Sequence, residues 1–140
     1  MLDVELGDWN SLRGEAISIR TAVFVEEQRV PIELEIDALD AASVHALARD
    51  MTGRAVGTGR LLPDGHIGRM AVLKSARGTG VGSALLRALM DEASRRGFAD
   101  VMLNAQTQAV PFYQRFGFVE EGGEHDDAGI AHVTMRRKIA

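Results

Sequence analysis

The stretch "SARGTGVGSALLRAL", from Ser75 to Leu89, decides the fold, because it joins a glycine-rich loop directly to a helical pattern. Gly78, Gly80 and Gly82 stand at alternate positions, and apolar residues recur at helical spacing from Val81 onward. The first backbone N–H groups of such a helix are free, and the positive end of the helix dipole lies beside them. The stretch therefore predicts a loop and helix start that bind an anion such as a phosphate.

Two common phosphate loops do not fit this glycine spacing. A P-loop needs a glycine followed by lysine, and the chain contains no such pair. In a dinucleotide-binding loop, Ser83 and Leu85 would stand where the third glycine belongs. On the glycines alone, a flexible turn at a helix start stays open as the alternative interpretation.

The composition indicates a single domain spanning residues 1–140. The chain has no cysteine, which excludes disulfides and thiolate metal sites, and its four histidines lack metal-ligand spacing, so no metal is expected. No apolar run approaches the roughly 18 residues of a membrane span, and the acidic N-terminus is unlike a signal peptide. The net charge of −4 comes without a sustained basic stripe. We expect a cytoplasmic protein that binds neither membranes nor nucleic acid.

The charge is distributed unevenly along the chain. Residues 1–50 hold eleven acidic residues against four arginines, whereas residues 67–115 hold seven basic residues against three acidic ones. One interpretation is solvated surface in both halves. The other is a cationic ligand near the first half and an anionic ligand near the second.

Outward from the loop, the pattern predicts the order strand, helix, helix, three strands, helix, strand, helix and two strands. Ser11 is expected to cap the first helix, which runs to about Val25. The three strands before the loop are expected to form an antiparallel meander, and the last two strands a hairpin. This order predicts an α+β fold with a mixed sheet.

Arg77, at the start of "RGTGVG", follows the strand "RMAVL", and the later segments "VMLNAQ" and "AVPFYQRFGF" complete a wider pattern. From about Ile67 to Val119 this pattern resembles the GNAT family of N-acetyltransferases. The resemblance implies a mixed sheet of six to seven strands, splayed between strands 4 and 5, with about four helices. It also implies acetyl-CoA as the co-substrate.

In that family the loop N–H groups hold the pyrophosphate of coenzyme A, and the pantetheine arm enters the splay as an extra strand. The resemblance assigns coenzyme binding to Met70, Ala71, Val72, Arg77, Gly78, Thr79, Gly80, Val81, Gly82, Ser83, Asn104 and Tyr113. Asn104 is expected at the end of the fifth strand, where a turn residue is the alternative interpretation.

The resemblance also implies two catalytic groups. The Met70 N–H would face the thioester carbonyl, and one such preorganised donor contributes about 3 to 4 kcal/mol in an acyl transfer. Tyr113 would be the general acid toward the departing thiolate. A thiol with a pKa of about 8.5 leaves readily, so this acid is needed less than a base.

An alkylammonium with a pKa of about 10.4 must lose a proton before it can attack. The candidate bases are Glu26, Glu27, Glu33, Glu35, Asp37 and His66. Each carboxylate alone also fits a solvated surface charge. The pattern "VFVEEQRVPIELEID" resembles the small ElaA-like and YjcF-like branch of the family, which favours Glu27 as the catalytic group, with Glu27 and Asp37 near the acceptor. A water chain stays open as the alternative.

Two histidines flank the predicted terminal hairpin. In the family's fold this region lies near the acceptor pocket, so His132 is expected to contact the substrate, whereas His125 carries no assigned role.

The predicted reaction is direct transfer of an acetyl group from acetyl-CoA to a primary amine in a ternary complex. The acceptor would be a small molecule or a peptide, and the acidic first half favours a polyamine, aminoglycoside or peptide amine. A glucosamine-6-phosphate-type amino sugar, a coenzyme-binding sensor without turnover and an interaction module are the alternatives. Related proteins also suggest a homodimer formed through the C-terminal strands.

Overall fold

In the part of the chain that the structure describes, seven strands form two sheets, and every ladder within each sheet is antiparallel. The computed structural model describes residues 2–140. The strands are β1 (Asp3–Gly7), β2 (Val44–Arg49), β3 (Ala55–Leu61), β4 (Ile67–Val72), β5 (Asp100–Gln106), β6 (Val119–Asp127) and β7 (Ile130–Lys138). The strand orders are β1-β2-β3-β4 and β5-β7-β6. This pairing confirms the predicted meander and the predicted terminal hairpin.

Four α-helices connect the strands within residues 2–140. They are α1 (Trp9–Arg20), α2 (Ile32–Glu35), α3 (Val81–Arg95) and α4 (Val110–Gln114). α1 continues directly into a π-helical segment, Thr21–Glu27. The N-cap of α1 is Asp8 and not Ser11, because the Asp8 carboxylate accepts a hydrogen bond from the Ser11 N–H at 2.8 Å. In the described part of the chain, no helix combines the length and apolar character needed to cross a membrane.

Among residues 2–140, backbone hydrogen bonds join the two sheets at one end of β4 and β5. A parallel bridge joins His66 to Met102, and the Met102 N–H donates to the Gly65 carbonyl at 3.2 Å. Beyond this bridge no ladder links β4 to β5 within residues 2–140, so the two strands diverge. The predicted splay between strands 4 and 5 is confirmed, and the parallel bridge makes the combined sheet mixed.

Both faces of the first sheet are covered. On β2, Ala46 and Ala48 pack in the core that contains α3, whereas Leu47 packs with α1. All three side chains are fully buried, because successive residues of a strand point to opposite faces. Gly57 on β3 allows α3 to approach closely, since a Cβ there would lie 2.6 Å from Val81 Cγ1. The glycine loop before α3 is thereby held against the sheet.

Candidate active site

The glycine loop ends in the left-handed conformation that its sequence favours. Gly78 and Gly80 have φ angles of 79° and 89°, which residues with a Cβ rarely adopt, and Gly80 is the N-cap of α3. The N–H groups of the first helical turn have no carbonyl partner within the helix. The loop lines a cavity of about 450 Å³ together with Phe112 and Arg115. This cavity, the loop cavity, combines free donors with positive charge and suits an anion.

Arg77 connects the glycine loop to the end of the π-helical segment. Its two terminal nitrogens each donate to a Glu27 carboxylate oxygen at 2.6 Å, and its Nε donates to the Val72 carbonyl at 3.0 Å. The hydrogen bonds from Arg77 lower the pKa of Glu27. A carboxylate held in this way is a weaker base, so its placement argues against the role predicted for Glu27.

β4 carries a bulge next to the splay. Its pairing with β3 passes from Gly68 to Ala71, so Arg69 and Met70 have no ladder partner in the described chain. Arg69 has a φ of 49°, a left-handed value that is costly for a long side chain and is typical of functional sites. The Met70 side chain lies over Gly59, where a Cβ would be 2.6 Å from Sδ. The bulge removes the Met70 backbone from the β3 ladder.

The divergence of β4 and β5 opens a cavity of about 300 Å³, the splay cleft. Of the predicted site residues it brings together Met70, Asn104, Tyr113 and His132, and the candidate base His66 also lines it. Asn104 lies inside β5 and not at its end, because β5 continues to Gln106. The other residues predicted to bind the coenzyme line the loop cavity, except Ala71 and Thr79.

A second cavity of about 210 Å³, the side cavity, adjoins the splay cleft. The two cavities share Phe24, Gln28, Arg69, Gln106, Asp127 and His132. Neither Glu27 nor Asp37 lines either cavity. A hydrogen bond of 2.8 Å from the Gln106 amide to the Gln28 amide oxygen ties the N-terminal segment to β5. The shared residues form the wall between the two spaces.

Tyr113 presents a phenol to the splay cleft from α4. Burial raises the pKa of Tyr113 to about 12. A leaving thiol has a pKa of about 8.5, so complete proton transfer from this phenol to a thiolate is uphill in free energy. The phenol is suited to donate a hydrogen bond to a departing sulfur rather than to give up its proton.

His132 lines both cavities and is nearly buried. Its Nδ1 lies 2.7 Å from the Ile130 carbonyl oxygen, which can only accept a hydrogen bond. Nδ1 therefore carries the proton, and in the neutral ring Nε2 holds the lone pair. Within residues 2–140 no hydrogen bond engages this nitrogen, so His132 has the geometry of a proton acceptor.

Carboxylates of the acidic N-terminal segment pair with arginines, and one of them, Glu35, also borders the side cavity. We name this group the ionic cluster, and it contains Arg20, Arg60, Arg69, Glu35, Asp37 and Asp40. Its three cations match its three carboxylates. The ionic cluster therefore neutralises Glu35, Asp37 and Asp40, three of the eleven acidic residues in residues 1–50.

Arg20 is the centre of the ionic cluster and is 1% exposed. It pairs with Glu35 and donates to Asp40 at 2.8 Å. Burial acts to raise the pKa of Asp40, but hydrogen bonds from Arg20 and Arg60 outweigh it and lower the pKa. The Arg60 guanidinium similarly lowers the pKa of Asp37 to about 2. Asp37 therefore stays ionised in its ion pair with Arg60 and is a poor base.

The comparisons with known proteins agree with this geometry. The model of the GNAT acetyltransferase domain matches residues 10–139. YjcF of Bacillus subtilis, described as an uncharacterized N-acetyltransferase, is 44% identical over 127 residues, covering 88% of this chain and 90% of that protein.

Two solved structures extend the similarity to the whole fold. Escherichia coli ElaA superimposes with a TM-score of 0.87 at 28% identity, covering 99% of this chain and 100% of that one. An acyl-CoA N-acyltransferase from Pseudomonas aeruginosa gives 0.86 at 31% identity, covering 98% and 99%. The glycine loop before α3 and the splay between β4 and β5 thus occur in a chain that belongs to the GNAT family of N-acetyltransferases and is an acyltransferase.

Proposed function

We propose that this protein transfers an acetyl group from acetyl-CoA to a primary amine, by direct attack of the amine in a ternary complex. The observation that carries the proposal is the course of β4, which leads from the loop cavity at Val72 to the splay cleft at Met70. This course supports an anion site and a reaction site that lie along one strand. His132 and Tyr113 line the far part of that path.

The residues along this path fit coenzyme A. The first turn of α3 offers free N–H groups for a pyrophosphate, and Arg77 adds a guanidinium beside them. The edge of β4 that faces the splay has no partner strand in the described residues, so it can pair with the amides of an extended pantetheine arm. When bound, acetyl-CoA supplies the activated thioester carbon.

Residues of this chain then accept the proton from the amine and stabilise the charge that develops on the thioester. His132 Nε2 accepts the proton that the amine loses as the C–N bond forms. The Met70 N–H donates to the carbonyl oxygen, where negative charge develops. Tyr113 donates a hydrogen bond to the sulfur as the C–S bond breaks and the thiolate departs, and His132 then releases its proton to solvent. Holding both reactants in one cleft can lower the barrier by about 7 to 11 kcal/mol.

Release of free thiol from acetyl-CoA tests the function directly. The protein is incubated with acetyl-CoA and a panel of primary amines, and the thiol is measured with and without each amine. We expect release that depends on the amine, together with a mass increase of one acetyl group on the amine. Binding of acetyl-CoA without release from any amine would favour a coenzyme sensor and overturn the proposal.

Tyr113→Phe is expected to lower kcat by about tenfold, because one hydrogen bond to a charged sulfur is lost. The affinity for acetyl-CoA should change little, since the aromatic ring still packs beside Phe112 and Phe118. Steady-state kinetics and calorimetric titration with coenzyme A check the two values separately. An unchanged kcat would remove Tyr113 from the mechanism.

Arg77→Met is expected to weaken acetyl-CoA binding by about 10- to 100-fold, because a charge-assisted contact to the pyrophosphate is lost. The free Glu27 carboxylate would then repel the anion as well. Calorimetric titration measures the effect, and Arg95→Met, on the exposed end of α3, is the matched control. The double variant with Glu27→Gln should recover part of the affinity. Wild-type affinity in Arg77→Met would contradict this assignment.

A further inference from the structure

Arg69 is the cation that the splay cleft and the side cavity share. Its Nε donates to the Glu35 carbonyl at 3.1 Å, and one terminal nitrogen donates to the Leu34 carbonyl at 3.2 Å. That same nitrogen contacts an Asp37 oxygen at 3.3 Å. The other terminal nitrogen has no hydrogen bond to any residue from 2 to 140. Arg69 is thus anchored along one edge and retains free donors on the other.

Arg69 has the longest ion-pair distance of the arginines in the ionic cluster, 3.3 Å to Asp37. Both carboxylate oxygens of Asp37 already accept hydrogen bonds from Arg60, at 2.8 and 3.0 Å. Burial lowers the pKa of Arg69, and the neighbouring Arg60 lowers it further. The remaining partners of Arg69 are two backbone carbonyls, which carry no net charge. A further anion beside this guanidinium would therefore be stabilised.

Arg60 supplies a second, independent observation. Its side chain is 6% exposed, it lines the splay cleft, and its Nε–H is buried without a partner among the described residues. An unpaired buried donor costs free energy, and native proteins satisfy nearly all of them. Its neighbouring terminal nitrogens are held by Asp37 and Asp40, so the guanidinium is fixed in place. Arg60 thus adds a second, fixed positive charge to the wall of the splay cleft.

The backbone holds Arg69 in this position at a cost. The left-handed φ of 49° at the β4 bulge is one that an arginine adopts only where the surroundings impose it. The bulge also sets Arg69 directly beside Met70, whose N–H is assigned to the thioester carbonyl. A group bound by Arg69 would therefore lie close to the reacting atoms.

We infer that the amine acceptor also carries an oxyanion, either a carboxylate or a phosphate, and that Arg69 binds it. The inference rests on the acetyl transfer proposed above and names the chemical class of its acceptor. The ionic cluster pairs Glu35, Asp37 and Asp40 with arginines, which weakens the argument for a polyamine. Asp127, which is exposed and borders both cavities, provides one negative charge for the arriving ammonium group.

The side cavity adds a preference for the rest of the acceptor. Apolar side chains make up much of its wall, namely Phe24, Val30, Leu34 and Ile130. A cavity of about 210 Å³ that combines an arginine, other polar side chains and an apolar part of the wall fits a compact molecule with an apolar body. An α-amino acid with an apolar side chain has this combination of groups.

Matched acceptor pairs test the inference. Thiol release from acetyl-CoA is measured with phenylalanine against phenylalaninamide, with phosphoethanolamine against ethanolamine, and with spermidine. Each amide or alcohol keeps the amine and removes only the oxyanion, and the amide has the chemical advantage because its amine loses a proton more readily. We expect kcat/KM to favour at least one anionic member by about 10- to 100-fold. The two pairs distinguish a carboxylate from a phosphate.

Arg69→Gln is expected to abolish this preference, and Arg69→Lys to retain part of it. The readout is the ratio of kcat/KM within each pair, which a merely destabilised protein would not change. Arg54→Gln, in the exposed turn between β2 and β3, is the matched control and should keep the wild-type ratio. Circular dichroism and coenzyme titration verify that each variant is folded.

The remaining outcomes distinguish a failure of this inference from a failure of the proposed acetyl transfer. Equal or better turnover of the uncharged amines or of spermidine would overturn the inference and leave the acetyl transfer standing. An equal loss for both members of a pair in Arg69→Gln would assign Arg69 a structural role and would also overturn it. Coenzyme binding with no thiol release from any amine would overturn the proposed function, and this inference with it.

Discussion

Replacing His132 with glutamine is expected to lower kcat by about 100-fold, the lower range for loss of a general base. Glutamine keeps a polar side chain of similar reach, but it cannot accept the proton that the amine loses. The Nδ1 hydrogen bond to Ile130 fixes the ring so that Nε2 is the free acceptor. Rapid-mixing and steady-state measurements of thiol release should show the loss in kcat, with little change in coenzyme affinity.

Glu27→Gln provides the contrast for this experiment. Glu27 was favoured as the base from sequence resemblance, but it binds Arg77 and lines neither cavity. Its replacement should reduce kcat far less than His132→Gln and should act mainly on coenzyme affinity. A larger loss of kcat in Glu27→Gln than in His132→Gln would restore Glu27 as the base and exclude His132.

Arg20→Leu is expected to destabilise the protein by about 3 to 5 kcal/mol, because it leaves buried carboxylates without their cation. Arg20 is fully buried and bonds the side chains of both Glu35 and Asp40. Leucine fills part of the space but offers no hydrogen bond. Urea unfolding followed by circular dichroism measures the difference. Arg49→Leu is the matched control, since its pairs with Glu5 and Glu15 are exposed and should contribute less than about 1 kcal/mol each.

The pH dependence of stability distinguishes a buried ion pair from simple packing. The pKa of Asp37 is about 2 in the folded protein, against roughly 3.9 in an unfolded chain. The wild type therefore gains stability from this group above about pH 4 and loses it as the pH falls toward 2. In Arg20→Leu, Asp40 loses one of the two cations that lower its pKa, so the deficit should shrink as the pH falls. A deficit that is independent of pH would contradict the ionic explanation.

Much of the fold could be predicted from local pattern. The alternating apolar and polar residues of the strands and the amphipathic spacing of α3 determine which side chains are buried. The splay follows instead from the resemblance to the GNAT family. The cap of α1 was misplaced because both Asp8 and Ser11 suit an N-cap, and only the hydrogen bond between them reveals which residue starts the helix. Asn104 was placed at a strand end because pairing with β7, which extends β5 to Gln106, lies far away in sequence.

The N-terminal half of the site was harder to predict, because its contacts join distant parts of the chain. Glu35, Asp37 and Asp40 look like solvent-exposed acids in the sequence, and only folding brings Arg20 and Arg60 to them. One signal was present: Arg20 continues the apolar stripe of Leu12 and Ala16 at helical spacing, which marks a buried cation. No comparable pattern identified Arg69, since its role depends on the bulge in β4.

The continuous helix from Trp9 through the π-helical segment connects the two ends of the reaction path. Phe24 borders both the splay cleft and the side cavity, and one turn later Glu27 holds Arg77 at the glycine loop. A ligand that draws Arg77 away from Glu27 therefore acts on the same helical turn that shapes the acceptor wall. Thermodynamic linkage makes any such coupling reciprocal. Binding of one substrate would thus change the affinity for the other through this one helix.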